Sequence, residues 1–140
     1  MGTSERGMRN GDLKVRTKLF ALSVISLVEA LPRSRSSDVI AKQMLRSGTS
    51  VGANYRAACR ARSQAEFIAK LGIVEEEADE TLYWLELLLD SKTAKPEQVE
   101  ALNREANELV AIFTAASITA KTKYKTTNQQ SEVKNQKSKN

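Results

Sequence analysis

The densest group of side chains able to do chemistry is the acidic run Glu75-Glu76-Glu77-Ala78-Asp79-Glu80, with Glu105 and Glu108 further along. Carboxylates on facing helices can bridge two metal ions, but bundle sites of that kind pair them with Glu-x-x-His motifs pointing inward. This chain has no His, and its acidic residues flank the apolar positions instead of occupying them. They read as a solvated or salt-bridged face, with no metal and no cofactor. Absence of His also removes the ordinary catalytic triads and imidazole acid-base work. Cys59 is the single cysteine, so it has no internal disulfide partner and no activating base; it reads as a buried structural thiol in a reducing compartment, the cytoplasm. Gly48 and Gly52 lack the Lys-Ser/Thr ending of a phosphate-cradling loop. With no catalytic residue to assign, the chain is expected not to be an enzyme.

The basic residues say more. The formal net charge is +5, yet residues 121–140 alone carry Lys121, Lys123, Lys125, Lys134, Lys137 and Lys139 against Glu132. The remainder is neutral but polarised. Residues 33–62 hold Arg33, Arg35, Lys42, Arg46, Arg56, Arg60 and Arg62 against Asp38, whereas residues 66–90 are acidic apart from Lys70. Lys42, Arg46, Arg56 and Arg60 fall on one stripe of a helix, facing away from its apolar seam. These seven residues are the candidate nucleic-acid-binding set.

Four amphipathic helices must carry these side chains. At 140 residues the chain suits one domain with one core. Two Pro and six Gly, with 41% hydrophobic and 28% charged residues, favour helix. The first is expected over 12–31, capped by Asp12, stopped by Pro32, with Phe20, Val24, Leu27 and Leu31 as its seam. The second is expected over 37–60 with Ser37 as N-cap and Ile40, Met44, Ser47, Val51, Asn54 or Tyr55, and Ala58 inward. Its segment Ser47-Gly48-Thr49-Ser50-Val51-Gly52 is poor helix by propensity, and a break into two short helices is open there. The seam keeps its phase across the glycines, which favours one continuous helix. Ser63-Gln64-Ala65-Glu66 is a capping box opening a third helix over 63–90, with seam Phe67, Leu71, Val74, Ala78, Leu82, Leu85 and Leu89. Lys95-Pro96 opens the last, over 96–123, where Val99, Leu102, Ala106, Leu109, Phe113, Ala116 and Ala120 repeat at alternating steps of three and four. The expected fold is all-α, an antiparallel up-down-up-down four-helix bundle over residues 12–123. Residues 1–11 read as a disordered leader and 124–140 as a disordered Lys-rich tail.

Lys14, Arg16 and Lys18 ahead of Leu19–Val28 imitate a secretory signal, but cleavage there would remove a helix that the bundle needs. Ser23, Ser26 and Glu29 interrupt the longest apolar run, well short of the ~20 residues of a membrane span, so no membrane is expected. Two apolar groups lie outside the seams: Val15, Leu19 and Leu22 on the first helix, and Ile73, Trp84 and Leu87 among the acidic residues of the third. A monomer would leave both in water. They are the candidate oligomer interface, read as complementary patches meeting head to tail.

The segments Leu45-Arg46-Ser47-Gly48-Thr49-Ser50-Val51-Gly52-Ala53-Asn54-Tyr55-Arg56-Ala57-Ala58-Cys59-Arg60-Ala61-Arg62-Ser63, Glu75–Leu88 and Glu105-Ala106-Asn107-Glu108-Leu109 resemble the bacterial four-helix-bundle proteins called intervening-sequence proteins, first noted as reading frames inside insertions in the large ribosomal RNA gene. The likeness covers about residues 12–123. It implies a bundle that assembles as a ring, a homopentamer, with no established enzymatic activity and no catalytic residues to carry over. A related family, the accessory proteins of diversity-generating retroelements, is similar in being a basic pentameric barrel that binds nucleic acid and a reverse transcriptase; this chain departs from it in having a neutral bundle.

Two functions follow as expectations. In one, the basic residues of several subunits line a surface for RNA or DNA, and the Lys-rich tails add nonspecific phosphate contacts; aromatic residues for base stacking are scarce, at 5%. In the other, the chain is a scaffold whose partner is another protein and nucleic acid is not bound.

Overall fold

Local sequence rules account for most of the helix boundaries in a computed structural model, which describes residues 10–138. Four helices follow one another: α1 Asn10–Ala30, α2 Arg35–Cys59, α3 Gln64–Asp90 and α4 Pro96–Ser138. Pro32 follows the end of α1 and Pro96 occupies the first position of α4, each where a missing backbone N–H costs least. Ser63 caps α3 as expected, its hydroxyl accepting from Glu66 N at 3.1 Å, but Glu66 Oε2 returns to Arg62 N and not to the cap's own N–H. The cap of α2 is Ser34, not Ser37: its hydroxyl accepts from Ser37 N at 3.1 Å, and Ser37 is buried. Ser34 has extended backbone and takes the cap, while Ser37, in the first turn of α2, sinks into the core.

Consecutive helices pack side by side, and their contacts run in reverse chain order. Val24 lies beside Gly48 and Thr17 beside Gly52; Ser47 bonds Thr81 while Ala58 and Phe67 share a cleft near the α2–α3 link. The core contains the expected seams of α1 and α4 almost unchanged, from Phe20, Val24, Leu27 and Leu31 to Val99, Leu109 and Phe113. Ala116 is half-buried and its neighbour Ser117 is buried instead. In α2 it is Tyr55, not Asn54, that is buried, stacked at a tilt on Phe113 with ring centroids 5.4 Å apart. Burial, then a hydrogen bond shared with Cys59, pushes the Tyr55 hydroxyl pKa up. Cys59 is half-buried, more open than a core thiol.

Helix α2 is unbroken through Gly48 and Gly52. A Cβ on Gly48 would lie 2.8 Å from a Val24 methyl, and one on Gly52 3.2 Å from Thr17 Oγ1, so the glycines let α1 and α2 approach closely. Packing outweighs their poor helix propensity.

Two expectations are corrected. In α3 the buried residues are Leu71, Val74, Ala78, Thr81, Leu85 and Leu88, whereas Phe67, Leu82 and Leu89 are partly buried. The seam runs through Thr81 because its hydroxyl is satisfied: it meets Ser47 Oγ at 2.8 Å and donates to Glu77 O at 2.8 Å. The other correction is the tail. Residues 124–138 continue α4 as helix instead of being disordered. They follow the 28 helical residues 96–123, contain no Pro or Gly, and so only propagate an existing helix, which costs far less than nucleating one. Thr122, Thr126 and Thr127 turn their hydroxyls back onto the carbonyl four residues earlier. Residues 125–137 are exposed throughout. Of the expected leader, residues 10 and 11 belong to α1 and residues 1–9 lie outside the described chain. Among the described residues no helix is long and apolar enough to cross a membrane.

Candidate functional surfaces

The carboxylates that could have met at a metal are drawn apart. Glu75 accepts from Thr114 Oγ1 at 2.5 Å on the α3–α4 side. Glu77 and Glu80 turn to Arg46 of α2; Glu77 Oε2 lies 3.1 Å from Arg46 Nη1, and Glu80 takes Nη2. Glu105 and Glu108 of α4 hold Arg16 of α1, with Glu105 accepting from Nε at 2.9 Å and Nη2 at 2.6 Å, and Glu108 from Nη2 at 2.5 Å. Hydrogen bonds to these carboxylates raise both guanidinium pKa values further, so Arg16 and Arg46 stay charged. Each acidic group thus stitches one pair of helices instead of joining a common centre. The Arg16 contact to α4 was not anticipated; its signal in the sequence was a lone Arg between two apolar faces of α1.

The seven basic residues are all exposed. At about 100° per residue, Arg35, Lys42, Arg46 and Arg60 fall within roughly 40° of one another, with Arg56 beside them, over a rise of about 37 Å. Arg46, in the middle of that row, is engaged by Glu77 and Glu80. Arg33 precedes α2 and pairs with Asp38 at 2.9 Å. Arg62 sits in the α2–α3 link. Arg35, Lys42, Arg56 and Arg60 therefore form the open part of the stripe.

The six apolar candidates divide. Val15, Leu19 and Leu22 are 60%, 57% and 51% exposed, and Ile25, which the sequence reading passed over, extends their row. Ile73, Trp84 and Leu87 do not form a matching exposed face. All three are partly buried, and Trp84 and Leu87 pack against the core. The seam through Thr81 and Leu88 places Trp84 only about 40–60° from it, at the edge of the core stripe and not opposite. Trp84 Nε1 is buried without a hydrogen-bond partner. The exposed aromatic of α3 is Tyr83, whose ring meets Trp84 edge-on at 5.1 Å.

Between α1 and α4 lies a groove of about 420 Å3 whose apolar lining includes Leu19, Phe20, Leu27 and Leu102. Arg16 spans one end of the seam.

What the fold and its surfaces define is a four-helix bundle with segregated charge and, among the described residues, an exposed apolar row on α1. The family described as 23S rRNA-intervening sequence protein matches over residues 11–115, and the chain belongs to that family. Among solved structures, a protein of unknown function from the S23 ribosomal protein family of Bacteroides thetaiotaomicron, crystallised and refined at 1.70 Å, is 39% identical. The match covers 77% of this chain and 96% of that one, with a TM-score of 0.71. No curated protein matches.

Proposed function

We propose that this chain is a non-enzymatic, homo-oligomeric bundle of the cytoplasm that contacts the phosphate backbone of RNA or DNA through the outer face of α2. The observation that carries this reading is the open row Arg35, Lys42, Arg56 and Arg60 on one rigid helix, exposed over its length. A rigid line of cations suits a linear polyanion, and it reads charge and shape instead of base edges. The Lys residues of the α4 extension add contacts without adding register.

Fluorescence anisotropy with labelled RNA and DNA of about 20 nucleotides tests it. Four phosphate contacts on a duplex give a slope of log affinity against log salt of about −3.6, roughly a hundredfold weakening between 50 and 200 mM. Reversing Arg35, Lys42, Arg56 and Arg60 to Glu together should abolish binding at 50 mM salt, while removal of residues 124–140 should leave most of it. Loss of binding on removing the extension alone would move the contact off α2. A second reading, a protein-interaction scaffold without nucleic acid, is favoured by the outward acidic row of α3, Glu76, Asp79 and Glu86 around exposed Tyr83; it takes over if neither nucleic acid binds at 50 mM salt.

A further inference from the structure

The open cations of α2 fall into two groups with a different surface between them. Arg35 and Lys42 form one group, about 10 Å apart along the helix axis, and Arg56 and Arg60 the other, about 6 Å apart. From Lys42 to Arg56 the helix rises about 21 Å. Arg46, Thr49 and Ala53 lie on the same stripe within that stretch. Ala53 is exposed and offers only a methyl group. Thr49 turns its hydroxyl back to Leu45 O at 2.7 Å. Arg46 is held by both Glu77 and Glu80 of α3, so one positive charge meets two negative ones and the cluster is net negative. Both carboxylates keep some exposure, at 17% and 34% of their side chains. A phosphate placed over the middle of α2 therefore meets repulsion, not a partner.

A single strand does not fit this pattern. Proteins that follow one strand line its backbone with a continuous cationic groove and stack its bases on aromatic rings. Over the middle of α2 several phosphates of such a strand would lie without a cation. The one aromatic residue of α2, Tyr55, is 3% exposed and stacked on Phe113, and exposed Tyr83 belongs to α3. A duplex does fit, because its phosphates are gathered on two backbones and a groove separates them. Lys and Arg side chains leaning inward from the two ends narrow the gap towards the width of the B-form major groove, about 12 Å. A-form RNA has a wide, shallow minor groove that a helix can lie across in the same way.

Resting on the reading of α2 as the phosphate-contacting face, we infer that its ligand is double-stranded nucleic acid, straddled across one groove. Arg35 and Lys42 hold one backbone, Arg56 and Arg60 hold the other, and the cluster of Arg46, Glu77 and Glu80 lies over the groove. The acidic middle selects against single strands.

Fluorescence anisotropy on the full chain tests this with a mixed-sequence duplex of about 20 base pairs and each of its strands alone, in DNA and in RNA. At 50 mM salt both duplexes should bind about tenfold or more tightly than their strands. Ala53→Lys, which fills the gap, should tighten single-strand binding about eightfold, the effect of one further contact at a slope of about −0.7, and change duplex binding by less than about twofold. Glu80→Gln lowers the negative charge of the middle without adding a cation to α2, and should move single-strand binding in the same direction. Arg35→Gln/Lys42→Gln and Arg56→Gln/Arg60→Gln should each halve the duplex salt slope, from about −3.6 to about −1.8, because each removes the contacts to one backbone. Single strands bound as tightly as duplex, or Ala53→Lys strengthening both alike, overturn the straddled duplex and leave α2 as a nucleic-acid surface. No binding of strand or duplex at 50 mM salt overturns both.

Discussion

Helix α1 has two neighbours and meets them in opposite ways. Against α2 it is sunk into a notch made by Gly48 and Gly52, with Val24 and Thr17 fully buried. Against α4 it leaves a groove, and the polar contact is carried by one arginine at the rim. The closed seam is made of shape and excludes substitution; the open seam is made of charge and leaves apolar surface over. A bundle need not be equally tight all round, and here the loose side keeps apolar surface exposed.

The largest effect that tests the contrast should come from Gly48→Ala. Its new Cβ has Val24 Cγ2 at 2.8 Å and Cγ1 at 2.9 Å, and Val24 is itself fully buried, so α1 must shift. Overpacking of this kind costs about 1–3 kcal/mol, measured by urea unfolding followed by circular dichroism. If Gly48→Ala matches the unaltered chain, the α1–α2 seam is not tight and the contrast fails.

The open seam should respond less. Arg16→Met keeps the stem over α4 but removes the bonds to Glu105 and Glu108. With the pair about a quarter exposed, the loss should be about 1 kcal/mol and should shrink further as salt is raised. A loss as large as that of Gly48→Ala would show that charge, not packing, holds α1.

Much of this was legible in the sequence, for reasons that differ by element. Phe20, Val24, Leu27 and Leu31 keep a strict three-four rhythm and are all buried, as are Val99, Leu102, Ala106, Leu109 and Phe113. The rhythm of α2 carried through two glycines because the seam phase was preserved, although the side chains that demand glycine lie on another helix. The α3 seam was misread by one position because Leu82 and Leu89 look more apolar than Thr81, and only the hydroxyl of Ser47 on α2 makes a buried Thr81 affordable. That slip of about 100° is also why Trp84 was expected on the outside in place of Tyr83. Periodicity reports the position of a face; it does not report which polar side chain will find a partner across a seam. The same limit hid the Arg16 clasp, which joins residues distant in the chain, whereas the pairing of Arg46 with Glu77 and Glu80 is the salt-bridged acidic face that the charge pattern left open.

The smallest effect should come from Gly72→Ala, and it should have the opposite sign to that of Gly48→Ala. Gly72 lies inside α3, and a Cβ built there meets nothing within 4 Å, so the folded state gains no clash. Its backbone is not in the positive-φ region where glycine is favoured. The unfolded chain, however, loses freedom when glycine becomes alanine, and a helix interior favours alanine, so stability should rise by about 0.5–1 kcal/mol. Two glycines in neighbouring helices, given the same methyl group, then separate cleanly: one is present for the helix that faces it, the other faces open space. The urea midpoint should move up for Gly72→Ala and down for Gly48→Ala with the slope unchanged in both. If Gly72→Ala is destabilising only at protein concentrations where the chain is assembled, and stabilising when dilute, then the space beside Gly72 is filled by another subunit.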